Sequence, residues 1–397
     1  MSNKQLSLWE NDRMSLKQAI ELSISSLIHY GQQYDHWAIA YSGGKDSSAT
    51  VAFVVWAIKN GFIPVPKSLT VLYADTRQEL PPLQMTAMRF MEALQADGFN
   101  ARVVLPSLDD RFYVYMLGRG VPPPKNRFRW CTPQLKVEPM QAALAQRRQE
   151  IGEKFLMLTG VRLGESAARD QRIALSCSKD SGECGQGWFQ RMNDEAMNDT
   201  LAPLLHWRLC FVWDWLYFAT DDGYMRKFVK LDASGHGFSM LGDIAAVYGD
   251  DEARTGCIGC NLASKDTALE NLIHTPEWAH LQPLTELKPL FRELQKPKWR
   301  LRKAEPETKK DGTYAKNGQR MGPLTMDARA YALEKVLDIQ TRARIDLINA
   351  EEETRIRQMW GDGVFPNGWD GDEIVADVAL DSIQVVDNEL IVQPLML

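Results

Sequence analysis

A chain of 397 residues is long enough to hold one large domain or two, and its 45% apolar and 25% charged residues are ordinary for a soluble globular protein. No stretch reaches the ~20 uninterrupted apolar residues of a membrane helix, and the N-terminus lacks the apolar core of a signal peptide, so a cytoplasmic protein without membrane contact is expected. In that compartment the six cysteines read as metal ligands or reactive thiols rather than disulfides, and a net charge of −6 does not by itself advertise a nucleic-acid binder.

Apolar positions at helical spacing (Leu16, Ala19, Ile20, Leu22, Ile24, Leu27, Ile28) predict a helix over residues 14–31. The run Trp37 to Tyr41 then reads as a buried parallel strand, followed by Ser42, Gly43, Gly44, Lys45, Asp46, Ser47 and Ser48. An apolar stretch from Ala49 to Ile58 reads as a helix that stops near Gly61. Strand, glycine-rich turn and helix start form a phosphate cradle: the glycines let the backbone approach an anion, free N–H groups point at it, and the helix dipole favours its charge. The spacing is not that of a Walker A loop, which puts four residues between its first Gly and the Gly-Lys-Ser/Thr.

Leu69 to Tyr73 reads as the second buried strand and ends at Asp75, placed to face a nucleotide because ligands of doubly wound sheets sit at the carboxyl ends of strands. The other reading of Asp75 is a helix N-cap. A helix over 81–96 and a strand over 101–105 follow. Residues 118–136 make a basic, proline-rich loop in which Arg127, Arg129 and Lys136 are candidate phosphate ligands around Cys131. Such a cationic setting predicts a lowered thiol pKa for Cys131, unless that thiol is a buried structural one. A strand over 155–158 runs into Thr159, Gly160 and Arg162, which suits an α-phosphate, with Arg169 beyond for a second anion.

Cys177 and Cys184, with the CxxC pair Cys257 and Cys260, supply four thiolates, which suit tetrahedral zinc or an iron–sulfur cluster; spacing does not separate the two. Cys210 lies in an apolar run and reads as core, as do Trp207, Trp213 and Trp215. Residues 201–216 read as a strand leading into a helix.

Beyond about residue 280 the composition shifts, giving expected domains over 1–280 and 281–397. Between Lys288 and Arg320 eleven Lys or Arg face four Asp or Glu, a basic segment compatible with a nucleic-acid backbone or with a solvated loop. One long helix is expected from Thr325 through Met359. After Arg357 there is no Lys or Arg, and eight acids lie between Asp362 and Glu389; this tail reads as a shield for the basic segment, a docking surface or a plain acidic edge.

The loop Ser42-Gly43-Gly44-Lys45-Asp46-Ser47 resembles the SGGxDS pyrophosphate loop of the N-type ATP pyrophosphatases. Arg129-Trp130-Cys131, Gly160-Val161-Arg162 with Glu165-Ser166, and the Cys257/Cys260 pair resemble the PAPS reductase-like superfamily over roughly residues 20 to 275. The Gly322-Pro-Leu-Thr helix start and residues 356–360 are similar to the C-terminal part of the DNA phosphorothioation sulfurtransferases DndC and SspD, although the Cys177 to Cys184 loop departs from their cysteine arrangement.

The resemblance implies an α/β fold, a doubly wound parallel sheet of the adenine nucleotide alpha hydrolase-like (PP-loop) type, with a mainly helical C-terminal extension. It implies ATP and Mg²⁺ bound over Ser42 to Ser48, with Asp75, Gly160 and Arg162, and catalysis by Lys45, Asp46, Arg162 and Cys131. It also favours a 4Fe-4S cluster over zinc at the cysteines, with Cys131 as a competing fourth ligand or a persulfide carrier. The implied partners are DNA, a cysteine desulfurase as sulfur donor and other phosphorothioation-system proteins. A sulfonucleotide reductase is the rival; that family carries its catalytic thiol in a C-terminal Glu-Cys-Gly, whereas here the sole such triplet is Glu183-Cys184-Gly185 in mid-chain and no Cys follows Cys260. A tRNA thiolase and a metal-containing DNA-binding scaffold are the remaining alternatives.

Overall fold

The strand His36–Tyr41 (β1) lies in the middle of a seven-stranded sheet, with Ser68–Ala74 (β2) hydrogen-bonded on one side and Phe155–Leu158 (β4) on the other. In the computed structural model, residues 14–177, 182–183, 187–193, 195–248, 256–263, 265–316 and 318–394 are described. Asn100–Val104 (β3) pairs parallel with β2, and Asn198–Ala202 (β7) pairs parallel with β4. Two short strands, Gly182–Glu183 (β5) and Trp188–Gln190 (β6), add an antiparallel edge, giving the order β3-β2-β1-β4-β7-β6-β5. The order reverses between β1 and β4, and the crevice at such a reversal is where doubly wound sheets take ligands.

The inner parallel strands β1 and β2 are buried on both faces, which is why they read as continuous apolar runs rather than alternating ones, while β3 at the edge is more exposed. On one face Ala38, Leu72 and Phe155 pack with Leu144 of the helix Glu138–Ile151 (α4). On the other, Tyr41 meets Tyr73 and Phe90 of the helix Pro81–Ala96 (α3). The helix Lys45–Lys59 (α2) follows β1 and sets Phe53 and Trp56 against Trp207 and Trp215, the latter on the helix Leu209–Tyr217 (α6). The expected tryptophan core is therefore present, Trp213 included. Cys210 is a correction. It sits in the first turn of α6 on the exposed side, while Phe211, Val212 and Trp215 take the buried one. The helix Leu16–Gly31 (α1) opens the described chain with a Ser15/Gln18 capping box, and Ala167–Cys177 (α5) follows β4.

Contacts divide the described residues into two compact units that interleave along the chain. Unit 1 draws on Met1–Ala74, Pro82–Val104 and Met140–Ala246 and holds the seven-stranded sheet. Unit 2 draws on Asp75–Pro81, Leu105–Pro139 and Val247–Leu397. Its two longest helices are Met326–Ala343 and Ala350–Gly361, where the sequence predicts one continuous helix. Arg344 adopts the left-handed conformation (φ 54°) as the C-cap of the first, and Asn349 starts the second through a capping box with Glu352.

Mid-chain residues complete this unit. Trp360 Nε1 donates to Leu117 O at 2.8 Å, and Arg355 binds Asp109 through Nε (2.6 Å) and Nη2 (2.8 Å). Arg329 is fully buried and donates through Nη1 to Gly118 O and Val364 O, both at 3.0 Å. A Cβ on Gly120 would stand 2.2 Å from that guanidinium, so glycine (φ +78°) is required there.

The basic segment folds into this unit as well. Arg300–Arg302 is the middle strand of a small antiparallel sheet between Ile374–Val375 and Met321–Leu324. Lys296 and Lys298 pair with Glu293, Arg320 with Glu307, and Lys303 with Glu373 at 2.6 Å, so one acid of the tail does meet the basic segment. Ser382–Val386 and Glu389–Gln393 form a separate hairpin. Among the described residues no helix is long and apolar enough to cross a membrane.

Candidate functional site

In unit 1 the loops after β1 and β4 flank the reversal point of the sheet. Gly43 takes φ +74°, open to glycine at little cost, and lets the chain turn from the strand into α2. Gly44 is the N-cap of α2 and has no side chain to offer its first N–H groups, which leaves the positive end of the dipole facing outward. The loop is held by its serines: Ser47 Oγ donates to Gly44 O at 3.0 Å and accepts from Ser42 N at 3.2 Å, and Ser48 Oγ donates to the Tyr41 hydroxyl at 3.3 Å. Gly160 passes so close that a Cβ there would lie 2.9 Å from the Ser47 backbone.

The charged groups converge on Asp46. Its Oδ2 accepts from Lys45 Nζ at 2.9 Å and its Oδ1 from Arg162 Nε at 2.8 Å. Arg162 is 6% exposed, and its Nη1 also donates to the carbonyls of Leu163 and Trp207. Burial would raise the Asp46 pKa, but the charges of Lys45 and Arg162 outweigh it and hold the carboxyl below its usual range. Burial, and then the charge of Asp46, push Glu165 the other way, with Arg169 working against them through its ion pair to Glu165. Arg169 is thus committed to a carboxylate where the sequence suggests a second anion. Glu165 is the residue that sequence reasoning missed; its signal was its place in the Gly160-Val-Arg162 to Glu165-Ser166 stretch.

Two carboxylates beside an N–H cradle suit Mg²⁺, which takes one or two protein carboxylates and completes its shell with substrate phosphates and water. Burial and then the nearby charge of Asp46 raise the Glu165 pKa, and a divalent cation would relieve the repulsion between the two carboxylates.

Asp75 belongs to unit 2 by its contacts. It is buried, and its Oδ1 accepts from Arg77 N at 2.8 Å across a turn in which Arg77 has φ 57°. Nearby, Gln78 O accepts from Ile258 N at 2.8 Å, which seats the Cys257–Cys260 turn beside residues 78–79. Cys260 N donates to Cys257 O at 3.1 Å.

Cys131, Cys257 and Cys260 share one electrostatic neighbourhood. Burial raises the Cys131 pKa and Cys260 adds to it; burial pushes Cys257 up to about 12, with Lys136 opposing and Glu79, Cys260 and Cys131 adding. The lowered thiol pKa predicted for Cys131 is therefore corrected. Desolvation and a neighbouring thiol prevail over the cations of the loop: Arg129 hydrogen-bonds Asn126, and Lys136, which lies among the thiols, is shared with Glu79 at 3.6 Å.

Three soft thiols with a lysine among them are the donor set for a cluster or zinc, although among the described residues no three ligating side chains converge on one point. Of the other two predicted ligands, Cys177 ends α5, with its side chain outside the described residues, and Cys184 lies outside them altogether.

A mostly parallel sheet with flanking helices and a glycine cradle at its switch point is an α/β doubly wound domain, a fold whose ligands sit at that crevice. Residues 36–222 match the family model of the phosphoadenosine phosphosulfate reductase domain. No curated protein matches the chain. Solved structures similar to it include the PAPS reductase of Candida auris in its phosphate complex (13% identity, TM-score 0.30, 50% of this chain and 77% of that one). The FMN adenylyltransferase of Candida glabrata with FMN and the ATP analogue AMPCPP gives 16% identity, TM-score 0.32, and 55% and 62% coverage. The U34-tRNA thiolase NcsA from Methanococcus maripaludis with its 4Fe-4S cluster gives 12%, 0.33, and 70% and 79%.

Proposed function

We propose that the chain is an ATP-dependent sulfurtransferase acting on nucleic acid, with a DNA backbone phosphate as its substrate. The observation that carries the reading is the Lys45–Asp46–Arg162 arrangement at the mouth of the glycine cradle. In the free protein Asp46 neutralises both cations. When ATP enters, its phosphates take the N–H groups of Gly44 to Ser47, and Lys45 and Arg162 turn to them. Asp46 and Glu165 are the residues that would hold Mg²⁺, which would offset phosphate charge. A substrate oxygen attacks the α-phosphorus, pyrophosphate leaves, and Lys45 and Arg162 stabilise the charge that develops. Sulfur supplied through a cysteine desulfurase arrives as a persulfide, whose outer sulfur displaces AMP, which departs with the oxygen; a thiol reductant then cleaves the resulting S–S bond and leaves the thiophosphate. Cys131, Cys257 and Cys260 are the residues that would hold a 4Fe-4S cluster or zinc, which would supply a soft site for sulfur. Other phosphorothioation-system proteins are the expected partners.

The test is pyrophosphate release from ATP by anaerobically purified protein, with and without duplex DNA, with iron, sulfide and zinc measured on the same sample. Release stimulated by DNA, lowered about a hundredfold or more by Lys45→Ala, together with phosphorothioate in the DNA, is the expected result. No cleavage at the α–β bond would end the reading.

A second reading, sulfonucleotide reduction, is favoured by the match over residues 36–222. It predicts sulfite release from PAPS with a thiol reductant and no pyrophosphate from ATP.

A further inference from the structure

Unit 2 contains a concavity of about 350 Å³, a size suited to one small ligand. Arg300 lies at its wall with 5% exposure. The guanidinium donates through Nε (2.6 Å) and Nη2 to Gly322 O, and among the described residues no carboxylate pairs with it. Burial draws its pKa down to about 10, so it stays charged at neutral pH. A buried cation opposed by a carbonyl dipole rather than an anion is costly unless something negative arrives. Lys125 and Arg320 line the same space, Arg320 with its guanidinium paired to Glu307 from outside the lining, and no acidic residue lines it.

The remaining walls are apolar and stiff. Trp369 packs flush on Gly322, where a Cβ would lie 2.1 Å from the ring, and carries the Arg320 guanidinium 5.1 Å from its centroid. Phe128 stands at the lip with 41% exposure, which leaves its ring face open to a ligand. The lip is preformed: Lys125 N donates to Phe128 O at 3.2 Å and Phe128 N to Lys125 O at 2.7 Å. Four prolines line the same concavity and add rigidity. An aromatic body and an anionic group are the two things this space is shaped for.

We propose that this pocket is a nucleotide-binding site, with the base against Phe128 and Trp369 and a phosphate on Arg300, Arg320 and Lys125. It lies within unit 2 and does not use the glycine cradle, so it stands whether or not the sulfurtransferase reading holds. The ligand is a nucleoside phosphate, either free or as one unit of a nucleic-acid strand.

The experiment measures binding of dAMP, of a single-stranded DNA octamer and of inorganic phosphate to the full chain in a Lys45→Ala background, which removes the cradle's lysine. Affinity for dAMP or the octamer should fall about tenfold or more on Phe128→Ala, Lys125→Ala and Arg300→Gln. Phe128 and Lys125 are exposed, so those two variants keep the test decisive even if Arg300→Gln fails to fold. Tighter binding of the octamer assigns the pocket to a strand, and equal binding assigns it to a free nucleotide. Absence of nucleotide binding at about 1 mM, or binding indifferent to Phe128→Ala and Lys125→Ala, overturns the proposal.

Discussion

Asp46 accepts from a cation on each of its oxygens, Lys45 on one and Arg162 on the other. Asp46→Asn would take from buried Arg162 the carboxylate it binds directly and leave Glu165 as its nearest acid, at a cost on the order of 3 kcal/mol. ATP brings the missing negative charge, so the nucleotide should raise the melting temperature of Asp46→Asn by more than it raises that of the wild type. Turnover should fall all the same, because a carboxylate for Mg²⁺ is gone. Equal shifts in the two proteins would show that Asp46 does not compete with ATP for these cations. Elsewhere in unit 1, His236 is buried with Nε2 donating to Trp215 O at 2.8 Å and Nδ1 accepting from Phe238 N at 3.0 Å. Burial lowers its pKa from 6.5 to about 4. Above pH 6.5 both states are neutral; as pH falls from there towards 4 the unfolded chain takes the proton first, so about 3 kcal/mol of stability is lost across that window. Urea unfolding at stepped pH should show this slope, and His236→Asn should flatten it.

Elements set the distances that these residues need. The loop after β1 and the loop after β4 touch because their strands are neighbours in the sheet, and they touch at a glycine. Gly160→Ala would drive a Cβ into the Ser47 backbone and displace the cradle while leaving both strands intact. Affinity for ATP should drop at least about tenfold, a loss near 1.4 kcal/mol, with the circular dichroism spectrum unchanged. Unaltered affinity would mean that the cradle tolerates the shift and does not need this close approach.

The whole molecule is two units threaded through one another in sequence. Residues 108–118, far from the C-terminus in the chain, are tied to the helix Ala350–Gly361 by Trp360, Arg355 and Arg111. Truncation near residue 280, where composition suggests a boundary, would remove both long helices of unit 2 and strip its mid-chain segments of their core. The shortened chain should be insoluble or should lose cooperative unfolding in unit 2, as read by thermal melts and limited proteolysis. A well-folded 1–280 fragment would show that the composition boundary is a true domain limit.

Local sequence determined the parallel strands and the helices that follow them, because continuous apolar runs bounded by turns have few other ways to be buried. The strand over 155–158 and the helix over 81–96 match the predicted limits to the residue. The cradle was legible for the same reason: its serines, glycines and lysine act within seven positions. What only the tertiary structure decided is long-range. Burial and Cys260, more than a hundred residues along the chain, set the Cys131 thiol above its ordinary pKa against the basic loop that suggested the opposite. The unpaired charge of Arg300 and the committed charges of Arg169 and Lys303 follow from which carboxylates the fold brings near, and the break at Arg344 from a cap whose neighbours are set by packing. A charge or a thiol carries no sign in sequence of what will surround it; desolvation and partners are properties of the packed interior, and they decide its chemistry.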